Sequence, residues 1–455
     1  MNNKIIICLI VLLIAAIFSC STNPSPDEFD DKTILYKKWP FPVGVAVPGA
    51  NTSNVSGGNS GNNALLPENP QHNLLKHFNV VVAENEMKPS NLLPSTRPEI
   101  TGTNFKEPVE ADYEIWKAGY KWAAADALVA YAQANDKQIR GHTLFWHSQS
   151  PDWFFLNASN QLISKDLLYY RMDLHIRTVF ERYAGKIHSW DVVNEVIAQD
   201  KSGARPAVST LGSRSGEQSY FTNIMEADTN LTGWAKFDFV RHAFERARHW
   251  AKYYNDSNVK LYLTDFGVER PFTRGSTTKQ QDFYDLIDWL VKPEVNAPID
   301  GIGFQGHFRL YDHPVDGKSC LETACKANGG TSCTHNIRAG IEKFSNFKRA
   351  DNKLKIIICE LDFSIFSNNK EQGSLTTMPE KDLSVRLTDL GKTYRDFFDM
   401  FEEFHGKGVI DMVLIWGIAD GHSWLNSHPV KGRTDYPLLF NRNYKGKEAY
   451  QKLVK

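Results

Sequence analysis

The sequence predicts an α/β protein, a single closed (β/α)8 barrel with extended loops after its strands. Two observations carry the prediction. Short runs that are apolar throughout alternate with longer segments of amphipathic helical spacing, the pattern of a parallel sheet covered by helices. Polar clusters follow the second, third, fourth, sixth, seventh and eighth of those runs, which is how a barrel mouth distributes function. A doubly wound open sheet is the competing arrangement. It would gather function at one switch point, commonly behind a Gly-rich turn after the first strand.

The elements follow in order. Val43–Val47 reads as the first strand, Leu65–His77 as a helix and Phe78–Ala83 as a second strand ending in Glu84-Asn85-Glu86-Met87-Lys88. Tyr120–Ala134 is Ala-rich with helical spacing, and Gln138–Phe145 is a strand leading into Trp146 and His147. Leu167–Tyr183 is helical, and the strand opening at Ile187 ends in Asn194-Glu195. Helices over Phe237–Tyr254, Gln280–Leu290, Ile337–Phe347, Leu390–His405 and Gly446–Leu453 alternate with strands over Lys260–Asp265, Gly301–Phe308, Lys355–Asp362 and Val409–Trp416. Thr52–Asn63, rich in Gly, Ser and Asn, is a loop.

The chain of 455 residues is 42% apolar, ordinary for a sizeable core, and carries a formal net charge of −1. With no long block of one sign, nothing favours nucleic acid or an anionic membrane surface. Lys4 followed by the apolar run Ile5–Phe18 reads as a signal segment too short to span a bilayer, so residues 1–20 are expected to be a signal peptide and 21–36 a polar tether. Ser19-Cys20 resembles a bacterial lipobox, which would make Cys20 a lipidated N-terminus, the sole membrane attachment and the basis of a cell-envelope location. Ile17 and Phe18 depart from the residues usual before such a site, and plain secretion is the competing reading. Cys320, Cys325 and Cys333 share one Gly-rich segment, where a local disulfide fits better than a zinc knuckle. Cys359 reads as a buried strand cysteine.

Two strands ending in glutamates, Glu195 and Glu360, suggest two carboxyls facing one bond, the equipment for cleaving a glycosidic linkage. For either strand alone, a solvated rim is the plainer reading. The pair, with nearby histidines and 11 Trp, favours chemistry, although a large core uses Trp as well.

Six stretches in order carry a resemblance to the family 10 glycoside hydrolases, the endo-β-1,4-xylanases, from about Trp39 to the C-terminus. They are Ala83–Lys88, Gly141–Trp153, Trp190–Glu195, Gly303–Phe308, Glu360-Leu361-Asp362 and Trp416-Gly417. The resemblance implies a retaining mechanism on xylan or xylo-oligosaccharides without metal or organic cofactor. Glu195 would be the acid/base, starting protonated, and Glu360 the ionised nucleophile. Asn194 would hydrogen-bond the 2-hydroxyl of the reacting sugar, His142 would touch the same sugar, and His307 and Asp362 would orient Glu360. A satisfied structural His307 is the alternative. Glu84, Asn85 and Lys88 resemble the family's grip on the next sugar. Trp146, Trp416 and Trp424 offer faces to sugar rings, and Gln149 and Gln305 offer amides.

Departures stand beside the matches. Pro89 replaces a usual Trp, Gly421-His422 a Lys-Tyr-like pair, and Leu263-Thr264-Asp265-Phe266-Gly267 a polar fifth-strand end. The segment Gln199–Lys236 is long, with Arg205, Arg214, Gln218, Tyr220 and Trp234 as candidates to rebuild leaving-group contacts; a disordered insertion is the alternative, above all for its Gly/Ser-rich half, and Pro314–His335 looks inserted. A monomeric, endo-acting xylanase is the expectation. The rivals are the same machinery on another β-linked glycan, or a glycan-capturing lipoprotein of little catalytic power.

Overall fold

The computed structural model describes residues 32–49, 63–102, 109–199, 202–214, 216–270, 273–274, 277–310, 337–366 and 375–455. Eight parallel strands close on themselves: β1 (Val43–Val47), β2 (Val80–Ala83), β3 (Gln138–Trp146), β4 (Ser189–Asn194), β5 (Lys260–Asp265), β6 (Gly301–Phe304), β7 (Lys355–Ser364) and β8 (Ile410–Ile415). β8 pairs with both β7 and β1, so the sheet has no free edge and the open-sheet alternative falls. Most strand positions are apolar because both faces are covered. Ala46, Val80, Val82, Ile357, Cys359 and Leu414 fill the barrel interior, while their neighbours pack against the helices. Cys359 is free and buried, as its place in an apolar strand implies.

Most expected helices are present, including Lys165–Tyr183, Asp238–Tyr253 and Lys279–Val291. The Ser164 and Thr278 side chains cap the first and last of these by accepting backbone N–H bonds. Four expectations need correction. Leu65–His77 forms only a 3-10 helix over Pro70–His77, because Pro70 opens it and just one face meets the core. The helix expected at Leu390–His405 runs over Glu380–Gly406; its first turns are more exposed and show little apolar signal. Glu110–Lys117 and Tyr220–Ala227 are helices that the spacing did not announce.

The fourth correction matters for the site. The strand expected over Gly301–Phe308 is two pieces, β6 and the separate strand His307–Arg309, which pairs with the end of β7. Gly306 breaks it with a φ of 79°, a conformation open to glycine. The break aims Gln305 at the mouth, and its backbone is tied to β5 and β7 through bonds to Asp265 and from Glu360.

At the N-terminal end, Leu35 is fully buried and the Tyr450 hydroxyl donates to the Thr33 carbonyl at 2.6 Å. The expected tether 21–36 is therefore packed onto the barrel from Thr33 onward. Cys20, Cys320, Cys325, Cys333 and the segment 314–335 lie outside the described residues. Among those described, no helix is long and apolar enough to cross a membrane.

Candidate active site

The mouth forms where the strands end. Glu195 is the first residue after β4, with a φ of 57°, rare for a residue that carries a side chain. Its backbone N–H donates to the Thr264 carbonyl at 2.8 Å, which anchors the turn to β5. The carboxyl accepts three bonds: from Trp146 Nε1 at 2.9 Å, from Gln305 Nε2 at 2.8 Å and from Arg205 at 3.3 Å.

Glu360 lies within β7 and is nearly fully buried. His307 Nε2 sits 3.3 Å from its Oε2, and the Arg140 guanidinium 3.9 Å from its Oε1. Burial alone would raise this carboxyl. The His307 hydrogen bond, the charges of His142 and His307, and Arg140 outweigh burial and hold it at about 2. Burial also opposes a charge on His307, but Asp362 and Glu360 override that and push it up to about 10. The imidazolium then bridges Asp362 Oδ2, 3.0 Å from Nδ1, and the nucleophile candidate. Asp362 is fully buried and also accepts from Trp424 Nε1 at 2.8 Å.

Around these two stand Glu84, Asn85, Lys88, His142, Trp146, Gln149, Asn194, Gln305, Trp416 and Trp424, whereas Cys20 lies outside the described residues. Glu84 is buried enough that desolvation first, and then the Glu86 charge, raise it to about 7. Lys88 donates to Asn85 Oδ1 at 2.9 Å and lies over the faces of Trp146 and Trp416, at 4.9 and 6.0 Å from their centroids. Gln149 Nε2 reaches Asn85 Oδ1 at 3.5 Å. His142 is buried beside Trp416, with ring centroids 5.5 Å apart. Asn194 closes β4, 2.7 Å from the Thr264 hydroxyl and 3.3 Å from Gln305 Nε2. Pro89, in place of a usual Trp, opens the short helix Pro89–Leu92, where a missing N–H costs nothing.

Two important residues were not singled out. Arg140 is fully buried. Its guanidinium pairs with Asp191 and donates to the Cys359 carbonyl at 2.9 Å. Asp191 Oδ2 also meets His142 Nδ1 at 2.7 Å. A charged residue inside each of two otherwise apolar strands was the signal, since burying a charge is costly unless it is paired.

The long segment after β4 behaves differently from expectation. Arg205 alone among its candidates reaches Glu195. It also pairs with Glu217 and faces the Phe266 ring at 5.7 Å. Tyr220 is buried and stacks on Phe155, Trp234 packs on Phe237, Arg214 donates to the Ser150 carbonyl, and Gln218 bonds Ser209. Most of the segment is thus a packed layer rather than a sugar-binding surface. Among the described residues, no cluster of three His, Cys, Asp or Glu side chains could hold a metal.

A closed parallel barrel with two carboxyls at its mouth, one of them held ionised, defines a glycoside hydrolase of the two-carboxylate class. The profile of Glycosyl hydrolase family 10 matches residues 49–455, and the chain belongs to that family. It is 36% identical over 394 residues to endo-1,4-beta-xylanase C of Paenibacillus barcinonensis, covering 86% of this chain but 30% of that protein. Endo-1,4-beta-xylanase A of Caldicellulosiruptor saccharolyticus is 31% identical, with 84% and 87% covered. Among solved structures, the family 10 protein of Paenibacillus barcinonensis superposes with a TM-score of 0.68 at 33% identity, covering 93% of this chain and 97% of that one. A mutant in complex with xylotriose superposes at 0.64 with 27% identity, covering 92% and 98%.

Proposed function

We propose that this chain is a retaining endo-1,4-β-xylanase, with Glu195 as acid/base and Glu360 as nucleophile. The observation that carries the assignment is the asymmetry of the two carboxyls. Glu360 is held ionised by His307 and Arg140 from beneath, as a nucleophile requires. Glu195 stands at the turn after β4 among hydrogen-bond donors, where a sugar oxygen can reach it. Attack by Glu360 on the anomeric carbon expels the leaving sugar, whose oxygen takes the Glu195 proton. Glu195 then takes a proton from water as water displaces the sugar from Glu360. Lys88, Asn85 and Glu84 would hold the next sugar, over the Trp146 and Trp416 side of the mouth. Relatives named as xylanases and a structural neighbour holding xylotriose support xylan as the substrate.

A 2-fluoro-xylobioside with a good leaving group tests this. Peptide mapping is expected to place the covalent label on Glu360, and NMR to show retained anomeric configuration. A label elsewhere, or inversion, overturns the assignment. We further propose that Cys20 carries a lipid anchor, on the support of Ser19-Cys20 after the apolar run alone. Membrane fractionation lost in Cys20→Ser is the expected result, and a mature N-terminus at another residue rules it out.

A further inference from the structure

We infer that Thr264 is a positioning residue that fixes which way the Asn194 amide faces, and so turns its nitrogen towards the 2-hydroxyl of the reacting sugar. The inference rests on the reading of the mouth given above and concerns the fifth strand, whose end departs from the family's polar pattern. An asparagine side chain can sit either way round, and its neighbours decide which. Both hydrogen bonds of the Asn194 side chain with the described residues run to its oxygen: the Thr264 hydroxyl donates at 2.7 Å and Gln305 Nε2 at 3.3 Å. The same Gln305 nitrogen donates to Glu195 Oε1 at 2.8 Å, so its amide faces Asn194 as a donor. A flipped Asn194 would set nitrogen against nitrogen there.

Thr264 is itself locked. It is fully buried, and its methyl sits where Gly303 lacks a side chain; a Cβ on Gly303 would stand 2.5 Å from that methyl carbon. With the methyl held against β6, the hydroxyl points to β4. The strand that looked deficient in sugar contacts therefore acts one step back, through the amide next to Glu195. Asn194 Nδ2 meets no protein acceptor among the described residues, which leaves it for the ligand.

The test compares two aryl β-xylobiosides, one with and one without the 2-hydroxyl on the reacting ring. Thr264→Val keeps the shape and removes the donor. It is expected to lower kcat/KM on the complete substrate by about 10-fold, and to change turnover of the 2-deoxy substrate by less than about 2-fold. Thr264→Ser, which keeps the hydroxyl, should restore most of the loss, whereas Thr264→Ala should not. The Ser and Ala pair carries the same contrast if Val at this site lowers the melting temperature. Equal losses on both substrates, or no loss on the complete one, would overturn the positioning role. Activity of the unmutated enzyme on both substrates keeps that failure distinct from failure of the xylanase reading.

Discussion

The two carboxyls of the mouth are supported in opposite ways. Glu360 sits on a strand, over a buried floor of fixed charge. Arg140, Asp191, His142, His307 and Asp362 are joined there by hydrogen bonds and ion pairs, and four of the five are at most 2% exposed. Glu195 sits on a left-handed turn and meets two neutral donors and one arginine supplied by a loop. The difference follows the chemistry. A nucleophile keeps one charge until it reacts, so the scaffold can set it permanently. An acid/base must gain and lose a proton in each cycle, so a floor of fixed cations under it would block one of its two roles.

The comparison can be broken first at Glu195, the proposed acid/base. Glu195→Ala is expected to cut xylan hydrolysis by roughly 10²- to 10⁴-fold, since the departing sugar needs a proton. Aryl glycosides with acidic phenols need little help, so their first step should survive, and azide should accelerate turnover to a β-glycosyl azide. Equal loss on both substrate types would remove Glu195 from the role.

Next comes the floor. Arg140→Met leaves Asp191 buried without its cation and should cost on the order of 3 kcal/mol of stability in urea unfolding. The sign of its pH effect follows from Glu360. A carboxyl lowered from 4.5 to about 2 contributes stability that is fully present above about 4.5 and is lost progressively as pH falls from there through about 2. Without Arg140 the value rises, so the acid limb of kcat/KM should move to higher pH. An unmoved limb means that the two histidines, His307 and His142, hold the proposed nucleophile without Arg140.

Arg205 offers the sharper contrast. Arg205→Gln removes a buried cation that also holds the Glu195 carbonyl and pairs with Glu217, but leaves Trp146 and Gln305 on the carboxyl, so kcat/KM should fall by about 10-fold or less, with a stability loss smaller than that of Arg140→Met because Glu217 remains solvated. A loss as large in stability as that of Arg140→Met would show both carboxyls to be held alike. Trp234→Ala, by contrast, should lower the melting temperature and spare turnover, because that ring packs on Phe237.

The smallest effect is expected at the far sugar. Glu84 titrates near 7, so it gains its charge between pH 6 and 8, and its grip on a sugar hydroxyl should strengthen with rising pH. KM for xylotriose should fall by roughly 2- to 5-fold over that range, and Glu84→Gln should flatten the trend. A slope unchanged by the substitution would place the titration elsewhere.

Much of the site was legible because strand ends in a parallel barrel are local in sequence and common in space. Glu84, Asn194, Gln305 and Glu360 each follow or end an apolar run, and closure brings those ends together. Gln305 and His307 were found, but the break between them was not, because a single glycine with positive φ leaves no mark on the apolar pattern. The layer built from Gln199–Lys236 was misread for a different reason. Arg, Gln, Tyr and Trp serve a sugar cleft and a buried interface equally well, and only the partners of Tyr220, Trp234 and Arg214 distinguish the two.

Residue type and spacing were therefore enough for the barrel, its eight strands and the two glutamates, since periodicity and strand-end chemistry lie along the chain. Pairings between distant strands were not. Arg140 with Asp191 and Glu360, Thr264 with Asn194, and Arg205 with Glu195 are contacts that closure of the barrel and packing of its loops create. A side chain's charge state and orientation depend on what stands within a few ångströms, so these features belong to the tertiary structure.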